Sequence, residues 1–153
     1  MRGEDHVMRL MENVQVQLIR CANVYGYSKN LRVETPINQM IFDAHFTNRI
    51  AIHGLPEHRL THISVYRVAD VLARMVKLEM DSDVYNLSHR EMSSLDIMDA
   101  LTELYPDLDT IFVDQHIPMH DLTIECDERL KELLPGDTTM VEDLVKFRDL
   151  FTF

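Results

Sequence analysis

Glycine is scarce in this chain: 153 residues hold four, Gly3, Gly26, Gly54 and Gly136. Glycines so far apart assemble neither a G-x-G-x-x-G turn nor a P-loop, so no phosphate cradle follows any strand. Cysteine is scarcer still. Cys21 and Cys126 make neither a zinc set nor a disulfide framework. Two reduced thiols fit a cytoplasmic protein, and Cys21, inside an apolar stretch, is expected to be a small buried hydrophobe. No G-x-S-x-G nucleophile elbow occurs. Basic runs are missing as well. A net charge of −11 with no Lys/Arg cluster leaves no footprint for nucleic acid or for an anionic membrane surface. No apolar run approaches the ~18 residues of a membrane span, and the opening MRGEDHVMRLMEN lacks the apolar centre of a signal peptide.

What is present is an ordinary globular composition, 46% apolar, at a length that suits one domain. The stretch Val14–Gly26 is apolar through Val14, Val16, Leu18 and Ile19 and closes in a polar and aromatic cluster, Arg20, Asn23 and Tyr25, before a turn. It reads as a buried strand over 14–22 preceded by a short amphipathic helix over 3–13. Thr35-Pro36 starts a helix whose apolar stripe is Ile37, Met40, Ile41 and Ala44. Short strands are expected at 50–53, 60–64, 84–87 and 111–113. Helices are expected from Val65, from Ser93 or Ser94, from Asp127, and from Thr139, which forms a capping box with Glu142. The last helix would bury Val141, Leu144, Val145 and Phe151. Strands alternating with helices make the chain α/β.

Eight histidines raise the question of a metal, above all His53, His58 and His62. His58 and His62 would share one face of a helix, but Thr61–Val65 reads as extended. Four residues of strand span ~13 Å, too far for one ion held at bond lengths near ~2 Å. His116 and His120 flank Pro118 without helical context. No metal site is therefore expected.

Several segments, in order, resemble one family. Arg20-Cys-Ala-Asn23-Val-Tyr25-Gly26 resembles the R-x-x-N-x-Y-G strand-to-loop of the extended short-chain dehydrogenase/reductases, the NAD-dependent epimerase/dehydratase family acting on nucleotide sugars. Ile50-Ala-Ile-His-Gly54 is similar to that family's strand ending in Gly. Thr61-His-Ile-Ser-Val65 is similar to its R-D-x-I-H-V segment, Val84-Tyr-Asn-Leu87 to its V-Y-N strand, and Asp127-x-Arg129 to the start of its D-x-[SK]-K helix. The resemblance implies a partial Rossmann-like sheet, represented by its last strand, plus the small C-terminal α/β substrate domain. On this reading residues 1–153 form a single substrate-binding domain. The nucleotide-binding half and the catalytic Tyr/Lys helix would fall upstream of Met1, so the chain would hold no cofactor by itself, with NAD expected in a full-length relative.

The same resemblance implies site residues. Asn23 would hydrogen-bond a substrate phosphate or sugar, Tyr25 would line the pocket, and Arg59 is the diphosphate candidate, because a guanidinium matches phosphate geometry bidentately. Each has a plainer reading: a loop Asn bonding backbone, a packed aromatic, a solvated Arg. Arg20 reads as a structural partner of a carboxylate. The chain also departs from the family's pattern. Leu60 stands where the family has its diphosphate-binding Arg, with Arg59 one residue early; Tyr66-Arg67 replaces an Asp pair; and Pro118–Asp121 lacks a basic residue often found there. The partner expected is a nucleotide sugar or another small molecule, with a homo-oligomer or a separately encoded Rossmann half also open. The alternative is a non-catalytic binding or assembly module that has kept the fold and lost the site.

Overall fold

A computed structural model of the chain describes residues 2–113 and 121–151; His116, Pro118 and His120 lie outside them. The stretch expected as one strand proves to serve two sheets in succession. Helix α1 (Arg2–Leu10) leads into β1 (Gln17–Cys21), the backbone turns at Ala22, and β2 (Asn23–Tyr25) follows. α2 (Pro36–Thr47), β3 (Arg49–His53), β4 (Arg59–Ser64), α3 (Val65–Met75), β5 (Asp83–Leu87) and β6 (Arg90–Ser93) come next. α4 (Ser94–Leu104), β7 (Asp109–Val113), α5 (Glu128–Lys131) and α6 (Met140–Arg148) complete the order.

Three small sheets result. β1 runs parallel to β5, with Leu18 opposite Val84 and Arg20 opposite Asn86. β4 is central in the second sheet, parallel to β2 and antiparallel to β6. β3 runs parallel to β7. The parallel β1–β5 pair stands where the Rossmann-like strand was expected, and the rest is mixed α/β.

Local chemistry accounts for the element ends. Thr35 precedes Pro36 as expected, but its hydroxyl donates to the Arg32 carbonyl instead of capping the helix. α2 stops at Asn48, which adopts φ 52° and donates its side-chain amide to the Asp107 carbonyl; Asn tolerates the left-handed conformation better than most residues. Ser93 with Asp96 and Thr139 with Glu142 form reciprocal capping boxes at α4 and α6. Gly26, at φ 112°, lies so close to Val65 that a Cβ would meet its Cγ1 at 3.0 Å.

Two cores sit on either side of β2–β4–β6. One joins α2, β3, α4 and α6 through Ile37, Ile41, Ile50, Leu101, Leu144 and Phe147. The other lies under α3 and α5 and includes Ile63, Val71, Tyr85, Leu87 and Leu130.

Three expectations are corrected. Residues 14–16 precede the strand, and Val14 is 55% exposed. Cys21 is exposed, at the end of β1, which among the described residues pairs with β5 alone. On α6 the buried stripe is Leu144 and Phe147 together with Asp143, while Val141 and Val145 are only half-buried. β6 had no counterpart in the sequence reading, since Arg-Glu-Met-Ser carries no β-rich run.

Candidate functional site

The first turn of α2 separates two depressions. One, of about 370 Å³, opens at the end of β2 and is walled by Asn23, Gly26, Asn30, Arg32, Thr35 and Asn38, among others. Its floor is held by side chain-to-backbone bonds: Asn38 accepts from the Gly26 amide at 2.9 Å and donates to the Arg32 carbonyl at 2.9 Å. Asn23 is exposed at its rim and donates to the Thr61 carbonyl at 3.2 Å, which fixes its amide but leaves its carbonyl oxygen and second N–H available. This groove has the parts for recognising a polar ligand: amides, hydroxyls and Arg32.

The second depression, of about 210 Å³, lies on the other side of the turn, against the end of β3 and the start of β4. Met40, Ile52 and Leu60 form its apolar wall, and Glu34, Asp43 and His58 contribute polar groups. The Leu60 side chain therefore lines a pocket at the position where the resemblance led one to expect an arginine. Arg59 points elsewhere. Its guanidinium meets Glu91 at 2.8 Å, Asp96 at 3.3 Å and the Glu91 carbonyl at 3.0 Å. The Ser93 amide first, and then Arg59, hold the Asp96 carboxyl below the usual carboxylate range.

Tyr25 turns into the protein. It is 3% exposed and donates its hydroxyl to Asp143 at 2.9 Å. Burial, reinforced by the Asp143 carboxylate, raises its pKa. Asp143 also accepts from Thr138 at 2.8 Å, and around it stand Arg67, His89, Arg90 and Asp137. Arg67, 4% exposed, donates to the carbonyls of Pro135 and Gly136 and to the Thr138 hydroxyl. Asp137 meets His89 at 3.2 Å and Arg90 at 3.3 Å. Burial, with Arg67 and Arg90 nearby, lowers the His89 pKa. This network straps the 135–138 loop to β6 and α3; of its members the sequence singled out Tyr25, as a pocket residue, while His89, Arg90, Asp137 and Asp143 carried no signal. Arg67 was marked only by its charge reversal.

Asn23, Tyr25 and Arg59 thus occupy three different settings: a groove rim, a buried strap and a surface ion-pair cluster. Arg20 pairs bidentately with Glu4 at 2.7 and 3.1 Å, the structural role expected of it. His62 lies buried in extended β4, and desolvation lowers its pKa to about 4. Among the described residues no three potential ligands gather for a metal, and no helix is long and apolar enough to cross a membrane.

No family model matches the chain, and no curated protein matches its sequence. Solved structures do match. A UDP-N-acetylglucosamine 4-epimerase from Methanobrevibacter ruminantium, in complex with UDP-N-acetylmuramic acid, superposes with a TM-score of 0.82 at 16% identity over 98% of this chain and 51% of its own. A UDP-glucose 4-epimerase from Thermotoga maritima, with UDP-glucose, gives 0.79 at 18% identity over 98% and 50%. An NAD-dependent NDP-hexosamine 5,6-dehydratase of tunicamycin biosynthesis gives 0.78 at 16% over 97% and 50%. The fold is that of the C-terminal part of such epimerases and dehydratases, and the chain spans about half the length of the structures it matches.

Proposed function

We propose that this chain is the substrate-binding half of an NAD-dependent nucleotide-sugar epimerase or dehydratase, binding a nucleotide sugar without catalysing its conversion alone. The observation that carries this reading is the near-complete superposition on one half of enzymes solved with UDP-sugars, combined with two adjoining depressions that meet at the N-terminal turn of α2. An extended ligand with a polar centre and an apolar-faced end suits such a pair. Asn23 contacts the ligand from the rim of the larger groove. Tyr25 acts from beneath, fixing the end of β2 through Asp143. Arg59 reaches a diphosphate only by exchanging its contacts with Glu91 and Asp96, so its share is the smallest. NAD and the hydride chemistry belong to a nucleotide-binding half outside these residues.

Isothermal titration of the full chain with UDP-glucose, UDP-N-acetylglucosamine and NAD tests the reading. Saturable heat is expected with a UDP-sugar and none with NAD. Firm NAD binding, or silence with every nucleotide sugar, overturns it. The second reading, a binding or assembly module with a degenerate site, is favoured by one specific observation: Leu60 lines the pocket while Arg59 is tied up in carboxylates. It expects silence with all three ligands together with self-association through the β1 edge that β5 leaves free, read by light scattering.

A further inference from the structure

The strap over β6 and α3 concentrates charge out of solvent. Arg67, His89 and Arg90, with side chains 4%, 12% and 16% exposed, all converge on Asp137, at 3.5, 3.2 and 3.3 Å. Asp143, itself buried, lies 3.7 Å from Arg90. With His89 neutral, two guanidiniums face two carboxylates and the cluster balances. Side chains alone hold the loop closed: among the described residues no backbone–backbone hydrogen bond involves residues 135–138. The Pro135 and Gly136 carbonyls accept from Arg67, and the Thr138 hydroxyl donates to Asp143.

His89 is the member whose charge changes near neutral pH. Asp137 accepts from its Nε2, and its Nδ1 is shielded from solvent with no hydrogen-bond partner. A second proton has to enter at Nδ1, where it finds no acceptor and adds a third positive charge against two negative ones. A buried donor without a partner and a buried charge without a counter-charge are both costly. The surrounding groups do not offset them. Tyr25 is buried with a raised pKa and stays neutral. His62, whose carbonyl accepts from the His89 amide, is neutral as well. Glu91, Glu125, Cys126 and Lys131 line a depression together with His89, and Glu142, which accepts from the Thr139 amide, lines another with Arg90. Among the described residues Asp137 alone is a carboxylate within ion-pair reach of the imidazole.

We propose that the 135–138 strap is an acid-released latch: a second proton on His89 frees the loop and, through Thr138 and Asp143, loosens Tyr25 and the β2 strand that carries Asn23. The sign follows from the two states of the ring. In the closed strap, burial first and then Arg67 and Arg90 hold the His89 pKa below its ordinary value of 6.5. With the loop lifted, water reaches the ring and that value returns. The open form therefore binds the proton more tightly, so the latch is fully held above pH 6.5 and gives way progressively below it. One proton limits the gain: between pH 8 and pH 5 the open-to-closed ratio rises by at most about thirtyfold. The latch is independent of which ligand the groove takes.

The test measures backbone amide order parameters of the full chain by nuclear magnetic resonance at steps from pH 8 to pH 5. Residues 136–139 are expected to fall from the rigid value of about 0.85 at pH 8 to below about 0.6 at pH 5, while α4 keeps its value and so excludes global unfolding. In His89→Gln, which keeps a donor for Asp137 but takes up no proton, the loop is expected to stay rigid throughout. In Asp137→Asn, at a side chain 83% exposed and outside either core, the loop is expected to be loose already at pH 8. A parent loop that stays rigid to pH 5, or tightens, overturns the latch. So does a loss of order that appears equally in α4. Loosening that persists in His89→Gln overturns the assignment to His89, and a loop still rigid at pH 8 in Asp137→Asn overturns the role of Asp137 as its anchor.

Discussion

The two cores of this protein are closed to different degrees. Around α2, α4 and α6 the apolar side chains face one another from several elements, and Ile41, Leu101 and Leu144 are fully buried. Around β1 and β5 the sheet has two strands and one covered face. Among the described residues only β5 pairs with β1, Leu18 and Ile19 are only half-buried, and Leu10, Leu72, Val76 and Leu78 stand in solvent. A parallel sheet normally has both faces covered. Each core has fully buried side chains, Ile63, Val71, Leu87 and Leu130 in the second, and each borders exposed apolar residues, Ile111 and Phe112 beside the first; what sets the second apart is the half-burial of Leu18 and Ile19 on β1. Both candidate pockets adjoin the closed core, which keeps their walls rigid, while the open one offers the edge at which a further α/β layer would add strands.

The contrast is broken most directly by truncating one residue in each region. Phe147→Ala removes a side chain that is 1% exposed and is expected to cost about 3–5 kcal/mol. Leu18→Ala, on half-buried β1, is expected to cost about 1 kcal/mol. Urea denaturation of both variants measures the difference, and equal losses would mean that the β1 region is as tightly packed as the other core.

The strand between the two regions provides the next test. His62 of β4 is neutral when folded because burial depresses its pKa from 6.5 to about 4. The unfolded chain therefore binds the extra proton first as the pH falls. The stabilisation is fully present above pH 6.5 and is lost progressively towards pH 4. The loss between pH 7 and pH 4 is expected to be roughly 3 kcal/mol from this residue. Chemical denaturation across that range, compared between the parent and His62→Gln, isolates its share, and an unchanged pH slope in the variant would refute the assignment.

The parts of the fold that were legible in the sequence share a property: their signals are local. Thr35-Pro36, the serines at 93 and 94, and Thr139 with Glu142 announce helices within a few residues, and the short run at 50–53 closed by Gly54 announces a strand. The second strand in 23–25 was illegible, because only the loss of β5 as a neighbour and the arrival of β4 end one strand and begin another at Ala22. The buried strap was illegible for the same reason. Asp143 accepts from Tyr25, 118 residues away, and Arg67 donates to carbonyls 68 and 69 residues away. Of the site, the sequence pointed to Asn23 and to the odd placement of Leu60. Glu34, Asp43 and His58 come together only because the α2 turn and the β3–β4 loop fold against each other, a juxtaposition that no spacing encodes.

The smallest expected effects compare two capping boxes of the same design. Ser93 is 4% exposed, and its hydroxyl accepts from the Asp96 amide at 3.2 Å. Its loss leaves that amide without the side-chain acceptor and loosens Asp96, which also faces Arg59 at 3.3 Å. Thr139 lies at the surface, where water replaces its hydroxyl at the Glu142 amide. Ser93→Ala is therefore expected towards the upper end of the capping range, about 1.5–2 kcal/mol, and Thr139→Ala towards the lower end, about 0.5–1 kcal/mol. Because α6 still anchors the closed core through Leu144 and Phe147, the Thr139 variant is expected to keep a cooperative thermal transition. A Thr139→Ala loss as large as that of Ser93→Ala would show that the end of α6, and with it the Thr138–Asp143–Tyr25 strap, is set by its cap rather than by the core beneath it.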